Sequence, residues 1–303
     1  MSTASPLESD ESLDAFVAAF EARALGTQDW THAAHVTVGG CYCLAYGEDG
    51  ALERMRAGIR LLNESLGGRN TPTSGYHESL TRFWLKLIAR FLEEHRALHP
   101  QAARIDAIRA LLGSLGHRSQ LYREYWTYDA LASTAARAAW VEPDALPLDV
   151  AVLACDSPLG WRSARELLMC YAAGLPARAI LGSLEAELED PAAGYTDPHS
   201  SLLLARAAGA SIGCIALHRM EPGVGEIKRL YVAPEQRRRG TARVLLNAAI
   251  ARARQAGTER VRLGTLHELA AAQALYRRLG FEPVASYPGA DPVDDLLFEL
   301  RLA

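Results

Sequence analysis

Apolar residues recur three and four positions apart through the first 140 residues, which is the spacing of one face of an α-helix. Glycine and proline residues interrupt this pattern and mark where helices are expected to end. The helices predicted in this way cover residues 13–20, 30–46, 52–66, 76–98, 105–115 and 121–140. We therefore predict an all-helical domain over residues 15–141, preceded by a polar, disordered tail over residues 1–14.

The pattern changes after residue 141. The segment 142–149 contains two prolines and is predicted to be a linker. Short apolar runs beyond it predict strands at 150–154, 201–206, 212–218, 226–232, 261–265 and 296–302. Helical spacing predicts helices at 161–173, 180–188, 241–256 and 268–279. This order predicts an α/β fold for residues 150–303, with a mixed sheet and flanking helices.

Composition narrows the class of protein. The 303 residues are 49% hydrophobic with a net charge of −4, so a large core is expected and a broad nucleic-acid or anionic-membrane surface is not. No apolar run reaches the roughly 18–20 residues of a membrane span. Five irregularly spaced cysteines favour a reducing compartment, and the acidic start resembles neither a signal nor a transit peptide. We therefore expect a cytoplasmic protein.

A basic loop joins the strand predicted at 226–232 to the helix predicted at 241–256. Residues 228–262 contain ten basic and two acidic side chains, within a mildly acidic chain. The first amides of a helix lack partners within the helix, and the helix dipole is positive there. Two interpretations stay open at this point: a site for a small polyanion such as a pyrophosphate, or a solvated arginine-rich face.

Two motifs resemble one enzyme family. The segment RRRGTA at 237–242 resembles the Arg/Gln-x-x-Gly-x-Gly/Ala signature of GNAT-type N-acetyltransferases, and ALYRRLGF at 274–281 resembles the second hallmark of that family. No Walker A or Gly-x-Gly-x-x-Gly loop is present in the sequence. The resemblance covers about residues 148–303 and implies a GNAT-like sheet. It departs from the family at Arg238, where many members have Gly, and at Leu269, where many have Asn.

The resemblance implies acetyl-CoA as co-substrate and assigns residues to it. The pyrophosphate would lie mainly on main-chain amides of the loop, and the pantetheine arm along the end of the preceding strand, against backbone groups of Leu230 and Val232. The residues assigned in this way are Leu230, Tyr231, Val232, Arg237, Arg238, Arg239, Gly240, Thr241 and Ala242.

The resemblance also suggests two catalytic side chains. Glu226 is the candidate general base, acting through water; the alternative is a strand-end charge paired with Arg229 or Arg262. Tyr276 is the candidate acid that protonates the leaving thiolate; the alternative is a core tyrosine beside its apolar helix neighbours.

The implied reaction is direct attack of a primary amine on acetyl-CoA, with the amine belonging to an unidentified small molecule or peptide. Asp291, Asp294 and Asp295 either receive a cationic acceptor or form a solvated acidic turn. The alternatives to an enzyme are an acyl-CoA-binding sensor without turnover and a bifunctional protein with a metal site in its helical half. A homodimer is compatible with the sequence.

Histidines are the conspicuous residues of the helical half. His32 and His35 share a helix face, and His77 or Glu78 would complete a metal site if the helices pack side by side. The alternative is a polar patch satisfied by its neighbours, which the absence of His-Glu-x-x-His or Cys-x-x-Cys spacing favours, so no metal is expected. This half also resembles an uncharacterised bacterial helical domain, a likeness that implies no activity.

Overall fold

The structure is a computed structural model that describes residues 8–175, 183–292 and 294–302. The chain divides into two compact units, Met1–Ala151 and Val152–Ala303. The division lies two residues beyond the predicted linker 142–149. No helix among the described residues combines the length and the apolar content needed to cross a bilayer.

The first unit is helical. Its described helices are α1 (Asp10–Glu21), α2 (His32–Ser65), α3 (Glu78–Leu98), α4 (Arg104–Leu115) and α5 (Thr134–Ala138), with a 3-10 turn at Leu121–Glu124. The predicted tail 1–14 is too long, because Ser9 and Ser12 form a capping box that starts α1 at Asp10. Gly47 has non-helical backbone angles, with φ +70°, so α2 consists of two helical segments that meet at a kink where the sequence predicts one helix to end.

The helix predicted over residues 121–140 is wrong. The segment holds only the 3-10 turn and the short α5. Thr127 donates hydrogen bonds to Asp144 from both its amide and its hydroxyl, at 2.8 and 2.6 Å, and Leu131 donates its amide to Asp129. Such side-chain bonds give the backbone an alternative to the helical ladder.

Close packing between helices explains the small residues of α2. A Cβ atom on Gly40 would lie 2.7 Å from Ile108 of α4, and one on Gly39 would lie 3.1 Å from Ile88 of α3. Glycine at these two positions lets the α2 backbone approach both neighbours, and this places the core of the unit between the three helices.

The second unit is the mixed α/β domain that the sequence predicts. Its helices are α6 (Pro158–Ala173), α7 (Ser183–Glu189), α8 (Thr241–Gln255) and α9 (Ala270–Arg278). Its strands are β1 (Ala151–Ala154), β2 (Ser201–Ala207), β3 (Ala210–Glu221), β4 (Val224–Val232), β5 (Arg260–Thr265), β6 (Glu282–Val284) and β7 (Leu296–Arg301). The sequence analysis missed β6, which is three residues long, and residues 180–182 of the helix predicted at 180–188 lie outside the described residues.

Seven strands of the described chain form one sheet in the order β1-β2-β3-β4-β5-β7-β6. Helices cover both of its faces. Gly213 of β3 faces Leu245 of α8, whereas Tyr231, on the opposite face of the sheet, contacts Tyr171 of α6. The sandwich places the end of β4 and the start of α8 at one edge of the domain.

Candidate active site

Strands β4 and β5 are paired only at their beginnings. Three parallel pairs join them: Val224 with Arg260, Gly225 with Val261, and Glu226 with Arg262. After these three pairs, no further pairing joins the described residues of β4 and β5. One extra residue in β4 shifts its register against β3, and Arg229 at this bulge adopts φ +55°. The sheet therefore opens along the margin of β4 that faces β5.

The loop after β4 contains a run of main-chain amides without acceptors among the described residues. Arg238 and Gly240 adopt positive φ angles of 62° and 90°, and Gly240 begins α8 with no side-chain cap. Within the described chain, no acceptor is hydrogen-bonded to the amides of residues 238–242. Five amides without an acceptor among the described residues thus lie at the positive end of a 15-residue helix, an arrangement that suits an anion.

Two arginines of this loop have local partners. The Arg237 guanidinium donates from Nε to the carbonyl of Val232 at 3.0 Å and lies 5.9 Å from the Tyr231 ring centre. The Arg239 guanidinium donates to the side chain of Gln236. Arg237 thus holds the turn by bonding to the carbonyl at the end of β4. Arg238 takes the left-handed conformation that a Gly would adopt freely.

Glu226 is buried at the point where β4 and β5 part, with 5% of its surface exposed. Lys228 lies 3.4 Å from its carboxylate, and the Tyr287 hydroxyl donates to it at 3.3 Å. Burial raises the pKa of Glu226, and Lys228 opposes this rise. The alternative partners do not reach it: Arg229 pairs with Glu187 and Arg262 with Glu299, each at 3.0 Å.

Tyr276 lies on the buried face of α9. Its ring centre is 5.9 Å from that of Phe281 and 6.0 Å from that of Phe298, so it is part of the core. None of the described residues forms a hydrogen bond to its hydroxyl. Burial raises the pKa of Tyr276, and the hydroxyl therefore stays protonated at neutral pH. Leu269, one of the two departures from the family pattern, precedes α9 and is exposed.

The three aspartates before β7 have different surroundings. The Asp291 carboxylate lies 3.8 Å from the Lys228 ammonium, and the Asp295 carboxylate accepts the amide of His267 at 3.0 Å. The Asp294 carboxylate lies directly over Gly264 of β5, where a Cβ atom would overlap it. Burial, with the charge of Asp291, raises the pKa of Asp294 from 3.8 to about 6. The sequence signal for this contact is a glycine inside a strand, which marks close approach of another group.

Sequence reasoning missed a buried ion pair on the face covered by α6 and α7. Glu187 of α7 accepts from the Arg229 guanidinium at 3.0 Å and from the Tyr195 hydroxyl at 3.3 Å. His218 lies 3.9 Å from the same carboxylate and stacks on Tyr195. The two ionic partners are 42 positions apart in the chain. No local pattern identifies such a pair.

The candidate metal ligands of the first unit have separate partners. His32 Nε2 lies 3.1 Å from the carbonyl of Leu115, and His77 Nε2 lies 3.0 Å from the carbonyl of Ala130. His35 packs on Trp30 with ring centres 4.0 Å apart, and burial lowers its pKa to about 3. Among the described residues, no group of three or more His, Cys, Asp or Glu side chains could hold a metal ion.

Glu78, the other candidate ligand, is held in an ion pair. Its carboxylate accepts from Arg56 at 2.6 Å and from the Tyr76 hydroxyl at 2.8 Å. The Arg56 bond lowers the pKa of Glu78. These contacts secure the start of α3 to α2 and give Glu78 a structural role.

Known proteins resemble the second unit. The sequence profile of the Acetyltransferase (GNAT) family matches residues 162–281. An uncharacterized N-acetyltransferase of Schizosaccharomyces pombe is 30% identical over 143 residues, which are 46% of this chain and 88% of that protein. An IAA acetyltransferase of Azospirillum brasilense is 38% identical over 100 residues, which are 32% of this chain and 65% of that protein.

Among solved structures, the PaiA N-acetyltransferase of Thermoplasma acidophilum in complex with coenzyme A is similar to 50% of this chain and covers 99% of its own, with 20% identity and a TM-score of 0.41.

The fold and the site define an α/β protein whose described residues include five amides without an acceptor at a strand-to-helix turn, beside two strands that part. With a relative matched over 88% of its length at 30% identity, the chain belongs to the GNAT family of acetyltransferases.

Proposed function

We propose that this protein transfers the acetyl group of acetyl-CoA to a primary amine of a small molecule or peptide. The observation that carries the proposal is the row of free amides at residues 238–242, set beside the opening between β4 and β5. A pyrophosphate is the part of acetyl-CoA that such a row of amides binds. The family supplies the reaction class, since the yeast relative is named an N-acetyltransferase.

The residues present fit the co-substrate. Amides of the loop 237–242 would hold the phosphates, with the exposed guanidiniums of Arg238 and Arg239 adding positive charge. The margin of β4 beyond its three pairs with β5, which includes Leu230 and Val232, offers backbone groups to an extended pantetheine arm, as an added strand would use them; the Val232 carbonyl also accepts from Arg237. Bound acetyl-CoA supplies the acetyl thioester.

The predicted catalytic residues have chemistry suited to these roles. Glu226 has a raised pKa and lies at the point where the strands part, which suits a base acting through water. Tyr276 keeps its proton and has an unengaged hydroxyl, which suits an acid for a thiolate. Tyr287 and Lys228 orient the Glu226 carboxylate.

Two measurements on the full chain test the proposal. Calorimetry measures acetyl-CoA binding, and thiol release measures turnover with polyamines, aminoglycosides, amino acids and peptide N-termini. We expect Glu226→Gln and Tyr276→Phe each to lower kcat by about 100-fold, the lower end of what general acid–base catalysis contributes. Glu282→Gln changes an exposed strand glutamate of the same unit and serves as the control that keeps kcat.

Each outcome has a defined meaning. Failure to bind acetyl-CoA at millimolar concentration would refute the proposal. Binding without thiol release for every amine would replace it with an acyl-CoA-binding protein that has no turnover. Wild-type kcat in both variants would leave the reaction class intact and remove Glu226 and Tyr276 from its mechanism.

A further inference from the structure

A second carboxylate faces the space where β4 and β5 have separated. Asp294 lies in the loop before β7, and its side chain lies against Gly264 of β5. Gly264 is two residues beyond Arg262, the last residue of β5 that pairs with β4. The contact requires glycine, because a Cβ atom at position 264 would overlap the carboxylate. This contact holds Asp294 against the part of β5 that no longer pairs with β4.

The charged and titratable groups around Asp294 come from several elements. They are Glu226, Lys228 and Arg229 of β4, Tyr171 of α6, Tyr276 of α9, and Asp291 and Tyr287 of the loop before β7. Both cations are engaged elsewhere: Lys228 lies between Glu226 and Asp291, and Arg229 is paired with Glu187.

The Asp294 carboxylate therefore differs from that of Glu226. Within the described residues it forms neither a hydrogen bond nor an ion pair, whereas Glu226 has both. A half-buried carboxylate whose neighbouring cations are engaged with other carboxylates is suited to take a proton or to meet a cation from outside the chain. Burial raises the pKa of the Tyr276 hydroxyl, and the charge of Asp294 adds to this rise.

We propose that Asp294 is a second catalytic carboxylate, which removes the first proton from an acceptor that arrives as an ammonium ion. This inference rests on the proposed function and adds to it the class of acceptor, a cationic alkylamine. The three carboxylates Glu226, Asp291 and Asp294, of which the first two share Lys228, are complementary to such a charge.

The proton balance gives each group one task. The ammonium passes one proton to Asp294, which leaves a neutral amine with a free electron pair. A carbon–nitrogen bond forms as the carbon–sulfur bond breaks, and sulfur leaves with its electron pair and takes the Tyr276 proton. The second nitrogen proton passes through water to Glu226. Tyr276 is then reprotonated by Asp294, so the net result is one amide, one thiol and one proton released through Glu226.

Kinetic variants test this assignment, with the most active alkylamine of the panel as acceptor. Asp294→Asn keeps the shape and loses the base, and we expect kcat to fall by about 100-fold. Gly264→Ala displaces the carboxylate without changing it, and we expect a loss in the same direction. Glu282→Gln, which changes an exposed carboxylate on β6 of the same unit, is the matched control and keeps kcat.

Two further readouts separate a catalytic role from a structural one. Formate restores turnover to Asp294→Ala in a concentration-dependent manner if a carboxylate is what is missing. Carbon-13 NMR of carboxyl groups shows a titration near pH 6 in the wild type that is absent from Asp294→Asn, without any ligand.

The outcomes distinguish the two proposals. Asp294→Asn with kcat within about threefold of the wild type, or Asp294→Ala unaffected by formate, would overturn the role of Asp294 while leaving acetyl transfer in place. A wild type that binds no acetyl-CoA would refute the proposed function itself, and calorimetry detects that failure independently of Asp294.

Discussion

The two units treat their polar groups in different ways. In the helical unit, the conspicuous motif residues are paired within the unit: His32 and His77 contact backbone carbonyls, and Glu78 is held by Arg56. In the α/β unit, the amides at residues 238–242 and the carboxylate of Asp294 have no such partners in the described chain. Polar groups that the fold leaves unsatisfied mark a ligand site better than residue type does.

The largest expected effect is on the buried ion pair of Glu187 and Arg229. These two groups are paired within the α/β unit, as the motif residues of the helical unit are paired within theirs. Glu187→Ala leaves the Arg229 guanidinium buried without a counter-charge and should lower the free energy of unfolding by about 3–5 kcal/mol. Urea denaturation measures the loss.

The control for this prediction is Glu93→Ala, which breaks the exposed pair with Arg90 and should cost about 0.3–0.5 kcal/mol. Equal losses in the two variants would show that the Glu187–Arg229 pair contributes no more to stability than an exposed ion pair.

Gly240 tests whether the unpartnered amides of residues 238–242 matter more for acetyl-CoA binding than for stability. Gly240→Ala and Gly257→Ala both force alanine into a left-handed conformation, at φ 90° and 72°, and each should cost about 1–2 kcal/mol of stability. They differ in place, since Gly240 starts α8 and Gly257 follows its end.

Because Gly240 belongs to the proposed pyrophosphate site and Gly257 does not, calorimetry should show an acetyl-CoA affinity at least about tenfold weaker for Gly240→Ala and unchanged for Gly257→Ala. A tenfold loss of affinity corresponds to about 1.4 kcal/mol of binding free energy. Parallel losses of affinity in both variants would contradict an amide-lined site at this turn.

The smallest expected effect concerns metals in the helical unit. Because His32, His35 and His77 have separate partners, we expect added zinc or iron to leave the thermal unfolding temperature unchanged. A resident metal at 100 times its dissociation constant would add about 2.7 kcal/mol of stability. A stoichiometric metal content in the purified protein would remove the contrast between the two units.

Local signals predicted the regular elements and one half of the site. The apolar stripe of α3 and the basic turn before α8 can be read within a dozen neighbouring residues, and the structure places both where the sequence indicates. The segment 121–140 shows the limit, since bonds such as that between Thr127 and Asp144 outweigh its helical spacing.

The other half of the site depends on distant contacts. Asp294 meets Gly264 from 30 positions away, and Arg229 meets Glu187 from 42. Whether a carboxylate is exposed on a turn or enclosed in an opening is decided by such partners, so the sequence left both interpretations of Asp294 open. The local sign of this contact is that residue 264, inside a predicted strand, is a glycine.

The short pairing between β4 and β5 has a mechanical consequence. Three residue pairs join a block of four strands, β1 to β4, to a block of three, β5 to β7. The two blocks are therefore joined by few main-chain hydrogen bonds, and a molecule bound along the free margin of β4 would add further bonds between them. We then expect ligand binding to slow amide hydrogen exchange in both blocks of strands.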